Sequence, residues 1–186
     1  MKLKIVVALL AGLVLAGGLF VWMGVFNVSA AEKHWKITTL LLELVRERSI
    51  HVRAKDIEVP VLTDKDALAR GAKNYKAMCA QCHLAPGMEA TELNLGLYPA
   101  PPVFHKSTHA IHDPAATFWT IKNGLKLTGM PAWGAFHSDQ QIWELVAFVG
   151  KLKGMSVEVF ETLSGAGEHN SQQSAHSHMP LQSHGQ

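Results

Sequence analysis

The hexapeptide Met78-Cys79-Ala80-Gln81-Cys82-His83 holds the only two cysteines of a 186-residue chain. Two thiols separated by two residues could serve three chemistries: half of a zinc site, a redox disulfide, or thioether attachment of a haem. Structural zinc takes about four protein ligands. The chain has no second cysteine pair, and His83, adjacent to Cys82, is poorly placed to share a tetrahedral ion with it. A thioredoxin-like disulfide asks for a strand–helix–strand setting, and an unprotected dithiol outside the cytoplasm stays oxidised. Covalent haem gives all three residues a role. Cys79 and Cys82 form the thioethers, a helical turn spaces the two sulfurs, and His83 reaches the iron from one face.

The other face of the iron needs a ligand, and seven methionines compete for it. Met1 and Met23 belong to the N-terminal apolar segment, Met179 to the C-terminal tail, and Met155 to the end of the last helix. Met78 is tethered beside Cys79, and Met88 follows His83 too closely to travel round a haem edge. Met130 remains, in Leu127-Thr128-Gly129-Met130-Pro131-Ala132-Trp133-Gly134. The stretch between His83 and Met130 is long enough to wrap the disc, and Gly129 and Pro131 shape the loop that carries it. Thioether ligation of haem iron is an established methionine role. The plainer reading is a loop methionine packed on the core. If Met130 does not bind, the open iron could take a gas or peroxide, which makes a haem enzyme or gas sensor instead of a carrier.

The elements that must position these residues begin with export. Ile5 to Phe26 carries no charge, and as a helix it spans about 33 Å, enough for a hydrocarbon core of about 30 Å. Lys2 and Lys4 precede it, so the positive-inside rule keeps the N-terminus in the cytoplasm. A signal peptide cut after Ala30 is the alternative, but the apolar run exceeds the usual h-region of about 7–15 residues. Either way residues 31–186 lie outside the cytoplasm. A net charge of +2 and the lack of a basic stripe exclude a nucleic-acid partner.

The division expected is a membrane anchor over 1–28, a juxtamembrane helix and linker over 29–62, an all-α domain over 63–155 and a disordered His-rich tail over 156–186. Ser29-Ala30-Ala31-Glu32 has the form of a capping box and predicts the start of the second helix. Trp35, Ile37, Leu40, Leu41, Leu42, Leu44 and Val45 cover over half of that helix, so it should pack against the domain or a membrane neighbour. Arg46, Arg48, Arg53 and Lys55 then make a solvated helix end or a surface for an acidic partner or lipid.

Thr63-Asp64 caps the next helix, on which Leu68, Ala72, Tyr75 and Cys79 share one face. Asp113-Pro114 opens a short helix that stops at Gly124. Ser138-Asp139-Gln140-Gln141 is a capping box for a last helix with Ile142, Leu145, Val146, Val149 and Leu152 inward. No stretch alternates with period two. Long loops between few helices point to a cofactor that they surround.

The run Cys79-Ala80-Gln81-Cys82-His83, then Gly129-Met130-Pro131-Ala132-Trp133-Gly134, then Ile142-Trp143-Glu144-Leu145-Val146-Ala147-Phe148-Val149, resembles a membrane-anchored single-haem class I cytochrome c of bacteria. The resemblance covers about 63–155, and the anchor more loosely. It implies the cytochrome c fold, all-α around one covalently attached haem c, with the first and last helices of the domain crossing near the haem. Gly71 and Tyr75 would then meet Leu145 and Phe148. It also implies that a carbonyl in Pro99-Ala100-Pro101-Pro102 accepts the His83 Nδ1 proton.

With both axial positions filled, the function implied is transfer of single electrons between respiratory redox partners, as a carrier or as a subunit of an oxidoreductase complex. The location implied is the bacterial inner membrane with the haem domain in the periplasm. Lys106, Lys122 and Lys126 could steer an acidic electron donor or acceptor protein, or be ordinary surface lysines.

Two further histidine groups stand outside that pattern. His169, His176, His178, Met179 and His184 lie in the polar tail, where imidazole with thioether suits copper; a plain polar tail is the alternative. His105, His109 and His112 have helical spacing but precede Asp113-Pro114, and loop histidines without preorganisation hold metal weakly.

Overall fold

In the last helix of the domain, Ser138 accepts from the Gln141 backbone while the Gln141 side chain accepts from the Ser138 backbone. This reciprocal cap satisfies two N–H groups that the first turn leaves without partners. The structure, a computed structural model, describes residues 2–61, 65–106 and 113–165. The proposed cap at Thr63-Asp64, His109, His112, and the tail residues His169, His176, His178, Met179 and His184 lie outside them.

The described residues form helices and no strand: α1 Lys2–Trp22, α2 Lys36–Ala54, α3 Lys65–Met78, α4 Ala80–His83, α5 Glu92–Gly96, α6 Pro114–Asn123, a 3-10 turn at Trp133–Ala135, α7 Asp139–Val149 and α8 Val157–Ser164. The all-α expectation holds. The chain divides into two units, Met1–His34 and Trp35–Gln186.

In the first unit, α1 has a mean hydropathy of 2.6 and the length to cross a membrane. Ser29 to Glu32 does not open a helix. Its hydroxyl accepts from the Ala31 backbone and its carbonyl from the Glu32 backbone, which closes an isolated turn. The helix predicted there starts at Lys36, with Trp35 at its N-cap and no side-chain cap.

The second unit is organised by α3 and α7, which pack closely together. Gly71 allows it: a Cβ there would stand 2.1 Å from the Glu144 carbonyl oxygen. Around the crossing, Tyr75, Ile142, Leu145, Phe148 and Leu152 are fully buried. Each such side chain contributes about 1.5–3 kcal/mol relative to an exposed one. At the rim, Arg70 donates from Nε and pairs through Nη2 with Glu144 Oε1, both at 2.8 Å.

The α6 helix starts as its sequence predicts, with the Asp113 carboxylate accepting from the Ala116 backbone, and ends at Gly124. It is held to α7 by the stacked rings of Phe118 and Trp143, 4.2 Å apart, and to the start of α7 by Lys122 Nζ on Asp139 Oδ1 at 2.6 Å. The α2 helix rests on α6. Its apolar residues Trp35, Ile37, Leu40, Leu41, Leu44 and Val45 are exposed in this unit.

The folded chain runs past residue 155. The segment 156–164, expected as the start of a disordered tail, forms α8 with Ser156 as its N-cap, packed on α3. Phe160 is buried there, 6.1 Å from the Phe148 ring. Apolar burial, with capping at both ends, outweighs the cost of ordering a short helix.

Candidate functional site

The α3 helix runs straight into the cysteine pair: the Cys79 backbone donates to the Tyr75 carbonyl, and the His83 backbone to the Cys79 carbonyl. Cys79 to His83 thus continue the helix as one further turn. Directly after it, Leu84 takes φ +56°, a conformation that L-residues with side chains rarely adopt. The buried Tyr75 hydroxyl donates to the Leu84 carbonyl at 2.7 Å and holds that reversal in place.

The turn is clamped from below by α5, which was not expected within the long loop. Thr91 Oγ1 donates to the Gln81 carbonyl, and Asn94 Nδ2 donates to the Cys82 carbonyl at 2.8 Å. Thr91 also caps α5 by accepting from the Asn94 backbone. A hydroxyl residue ahead of Glu92 was the available sequence signal. A five-residue helix is too short to show a periodicity.

His83 is half-buried and fixed from two sides. Its Nδ1 donates to the Pro102 carbonyl at 2.9 Å, and its ring stacks on Phe104 with centroids 4.7 Å apart. Burial lowers its pKa from the ordinary histidine value of 6.5, while the hydrogen bond to Pro102 works in the opposite direction. With Nδ1–H committed to a carbonyl, the neutral ring keeps its lone pair on Nε2, the state a metal ligand requires. Burial, then the neighbouring Cys82, push the Cys79 thiol up to about 12.

Met130, the other expected iron ligand, is the end point of a closed loop. Its backbone N–H donates to Thr128 Oγ1, its carbonyl accepts from the Leu125 backbone, and Thr128 Oγ1 donates to the Leu125 carbonyl. Two glycines permit the loop's close contacts. A Cβ on Gly129 would fall 2.4 Å from Leu97, and one on Gly124, at φ +67°, would fall 2.7 Å from the Pro131 and Ala132 backbone.

Cys79, Cys82, His83 and Met130 line one cavity of about 470 Å³ together with Tyr75, Leu97 and Trp133. Its size is within the roughly 300–1,000 Å³ of cofactor sites, and its wall is mostly apolar, as such sites are. Two thiols, an imidazole and a thioether lining one cavity fit a covalently held haem in donor type.

Other expected sites fare differently. No group of three or more metal-binding side chains occurs among the described residues. His105 is described, and its Nδ1 is buried without a hydrogen-bond partner. Lys122 is tied to Asp139, whereas Lys106 and Lys126 are exposed. Arg46, expected on a solvated helix end or a partner surface, also lines the cavity, together with Glu47 and Ile50 of α2, which sequence reasoning missed.

Residues 66–149 match the family model described as Cytochrome C oxidase, cbb3-type, subunit III. No curated protein and no solved structure matched. The matched span contains the cysteine pair, His83 and the Met130 loop. Residues 66–149 are a c-type cytochrome domain, and its chemistry is haem-based electron transfer.

Proposed function

We propose that the chain is a membrane-anchored electron carrier whose haem is held through Cys79 and Cys82, with His83 and Met130 as the axial ligands of the iron. When bound, the haem supplies an iron that gains and loses one electron. Cys79 and Cys82 anchor it to the turn that Tyr75, Thr91 and Asn94 brace. The Pro102 carbonyl holds the proton on His83 Nδ1 and so presents Nε2 as the donor. Thr128 and Gly129 set the place of Met130. With His83 and Met130 both given to the iron, no ligand position would be left for a substrate, which suits a carrier.

The hydrogen bond from His83 to Pro102 is the observation that carries this reading. It fixes the tautomer of a half-buried, neutral imidazole on the wall of the cavity that Met130 also lines. The length and hydropathy of α1 support the anchor, and Lys2 and Lys4 ahead of the apolar run support an N-terminus in the cytoplasm and the domain in the periplasm. The family description supports partners of a respiratory chain.

The test is the visible spectrum of the purified full-length protein. The oxidised form is expected to show the weak long-wavelength methionine–iron band, which Met130→Ala abolishes while the ferrous protein becomes able to bind carbon monoxide. A parent protein without the band, or one that binds carbon monoxide readily, overturns the His/Met ligation and with it the carrier reading.

A further inference from the structure

One wall of the cavity is built by a helix that precedes the matched domain. Arg46, Glu47 and Ile50 of α2 line it, although the family match begins only at residue 66. The helix is held there through its packing on α6. Among the described residues lining the cavity, Arg46 is the only lysine or arginine.

A haem brings two propionates, and thioethers on its vinyl groups leave those carboxylates on another part of its rim. The wall otherwise offers only neutral donors, among them the Thr120 hydroxyl and the Trp133 indole N–H. The Tyr75 hydroxyl is already donated to Leu84, Nδ1–H of His83 to Pro102, and the hydroxyl of Thr128 to Leu125. A guanidinium is the side chain best matched to a carboxylate, since its planar fork can donate twice. At present Arg46 donates from Nε and pairs through Nη2 with Glu47 Oε1, both at 3.0 Å. The Glu47 side chain is 68% exposed. A pair exposed to that degree contributes little to stability, so the guanidinium can leave Glu47 to water at small cost.

We propose that α2 is part of the haem site: Ile50 completes the apolar wall and Arg46 pairs with a haem propionate. This rests on the haem reading of the cavity. A cation beside the haem favours the reduced form, which carries one more negative charge, so Arg46 raises the reduction potential. It also ties the haem to the helix that follows the apolar N-terminal segment.

The experiment uses the full-length holoprotein and its Arg46→Gln and Arg46→Lys variants. Resonance Raman reads the haem propionate bending mode, and redox titration at low and high salt reads the potential. Arg46→Gln is expected to shift the propionate mode and lower the potential, with the difference reduced by salt. Arg46→Lys should restore the potential in large part and the mode only partly, since an ammonium replaces the charge but not the fork. An unmoved propionate mode in folded Arg46→Gln overturns the pairing, whether or not the potential changes. Absence of covalent haem from the parent, read by intact mass, overturns the haem reading itself and is thereby distinguished from failure of this inference alone.

Discussion

A Cβ on Gly71 would stand 2.1 Å from the Glu144 carbonyl oxygen and 2.8 Å from its carbonyl carbon. The obstacle is backbone, which cannot swing aside as a side chain does, so α3 and α7 must separate to admit even a methyl group. Gly71→Ala is expected to destabilise the domain by about 1–3 kcal/mol, the usual range for overpacking. Denaturant titration of the holoprotein measures it.

Tyr75→Phe keeps the ring beside Phe148 and removes only the hydroxyl that donates to Leu84. The carbonyl left without a partner is buried, and the expected loss is about 1–3 kcal/mol. The phenol ionises only far above its ordinary range because burial, then Cys79, raise its pKa. The hydrogen bond therefore persists through alkaline conditions in which an exposed tyrosine ionises, and the ultraviolet tyrosinate signal should lack this residue.

Thr128→Val removes a hydroxyl that joins the Met130 backbone to the Leu125 carbonyl. The change conserves shape but loosens the loop that carries the proposed ligand. The expected result is a ferrous protein that binds carbon monoxide faster than the parent, with the long-wavelength band weakened and the fold intact. Stopped-flow mixing with carbon monoxide measures the rate.

Histidine titration sets how stability changes with acid. Burial, then the neighbouring Lys106, lower the pKa of His105 from 6.5. The unfolded chain therefore binds protons that the folded chain refuses, and stability rises with pH in that window. It is fully present above pH 6.5 and falls as the medium is acidified below it. His105→Gln should lose less stability than the parent between pH 7 and pH 5, since this contribution is gone. Thermal melts at the two pH values provide the comparison.

The boundary of the domain can be tested by truncation. A chain ended after Gly165 keeps α8 and should melt as the full-length protein does. A chain ended after Met155 exposes the site that Phe160 covers beside Phe148. Phe160→Ala alone should cost about 3 kcal/mol, as deletion of a buried aromatic side chain does.

Much of the helical architecture was legible because its signals are local. Asp113 with Pro114 and Gly124, and Ser138 with Gln141, bound α6 and α7 where the sequence places them, since each cap acts within one turn. Ser29 to Glu32 carries the same signature but no helix. A capping box is worth little without an adjoining face to bury, which is how tertiary packing selects among local signals. The α8 segment is the converse: it carries Ser156, the apolar Val157, Val159, Phe160 and Leu163, and Gly165, but it is short and its stability lies in Phe160 against Phe148.

By itself the sequence determined the chemical types in play: two thiols and an imidazole one helical turn apart, a methionine loop bounded by Gly129 and Pro131, and an apolar run long enough for a membrane. Those are properties of neighbouring residues and of composition. Only the tertiary structure decided that the partner of His83 is the Pro102 carbonyl, 19 residues away, that Thr91 and Asn94 brace the cysteine turn, and that Arg46 and Ile50 reach the cavity. Every carbonyl in Pro99-Ala100-Pro101-Pro102 is an equivalent acceptor on paper. Which one meets Nδ1, and which side of α2 meets the cavity, depends on how the chain closes over distances that no local pattern encodes.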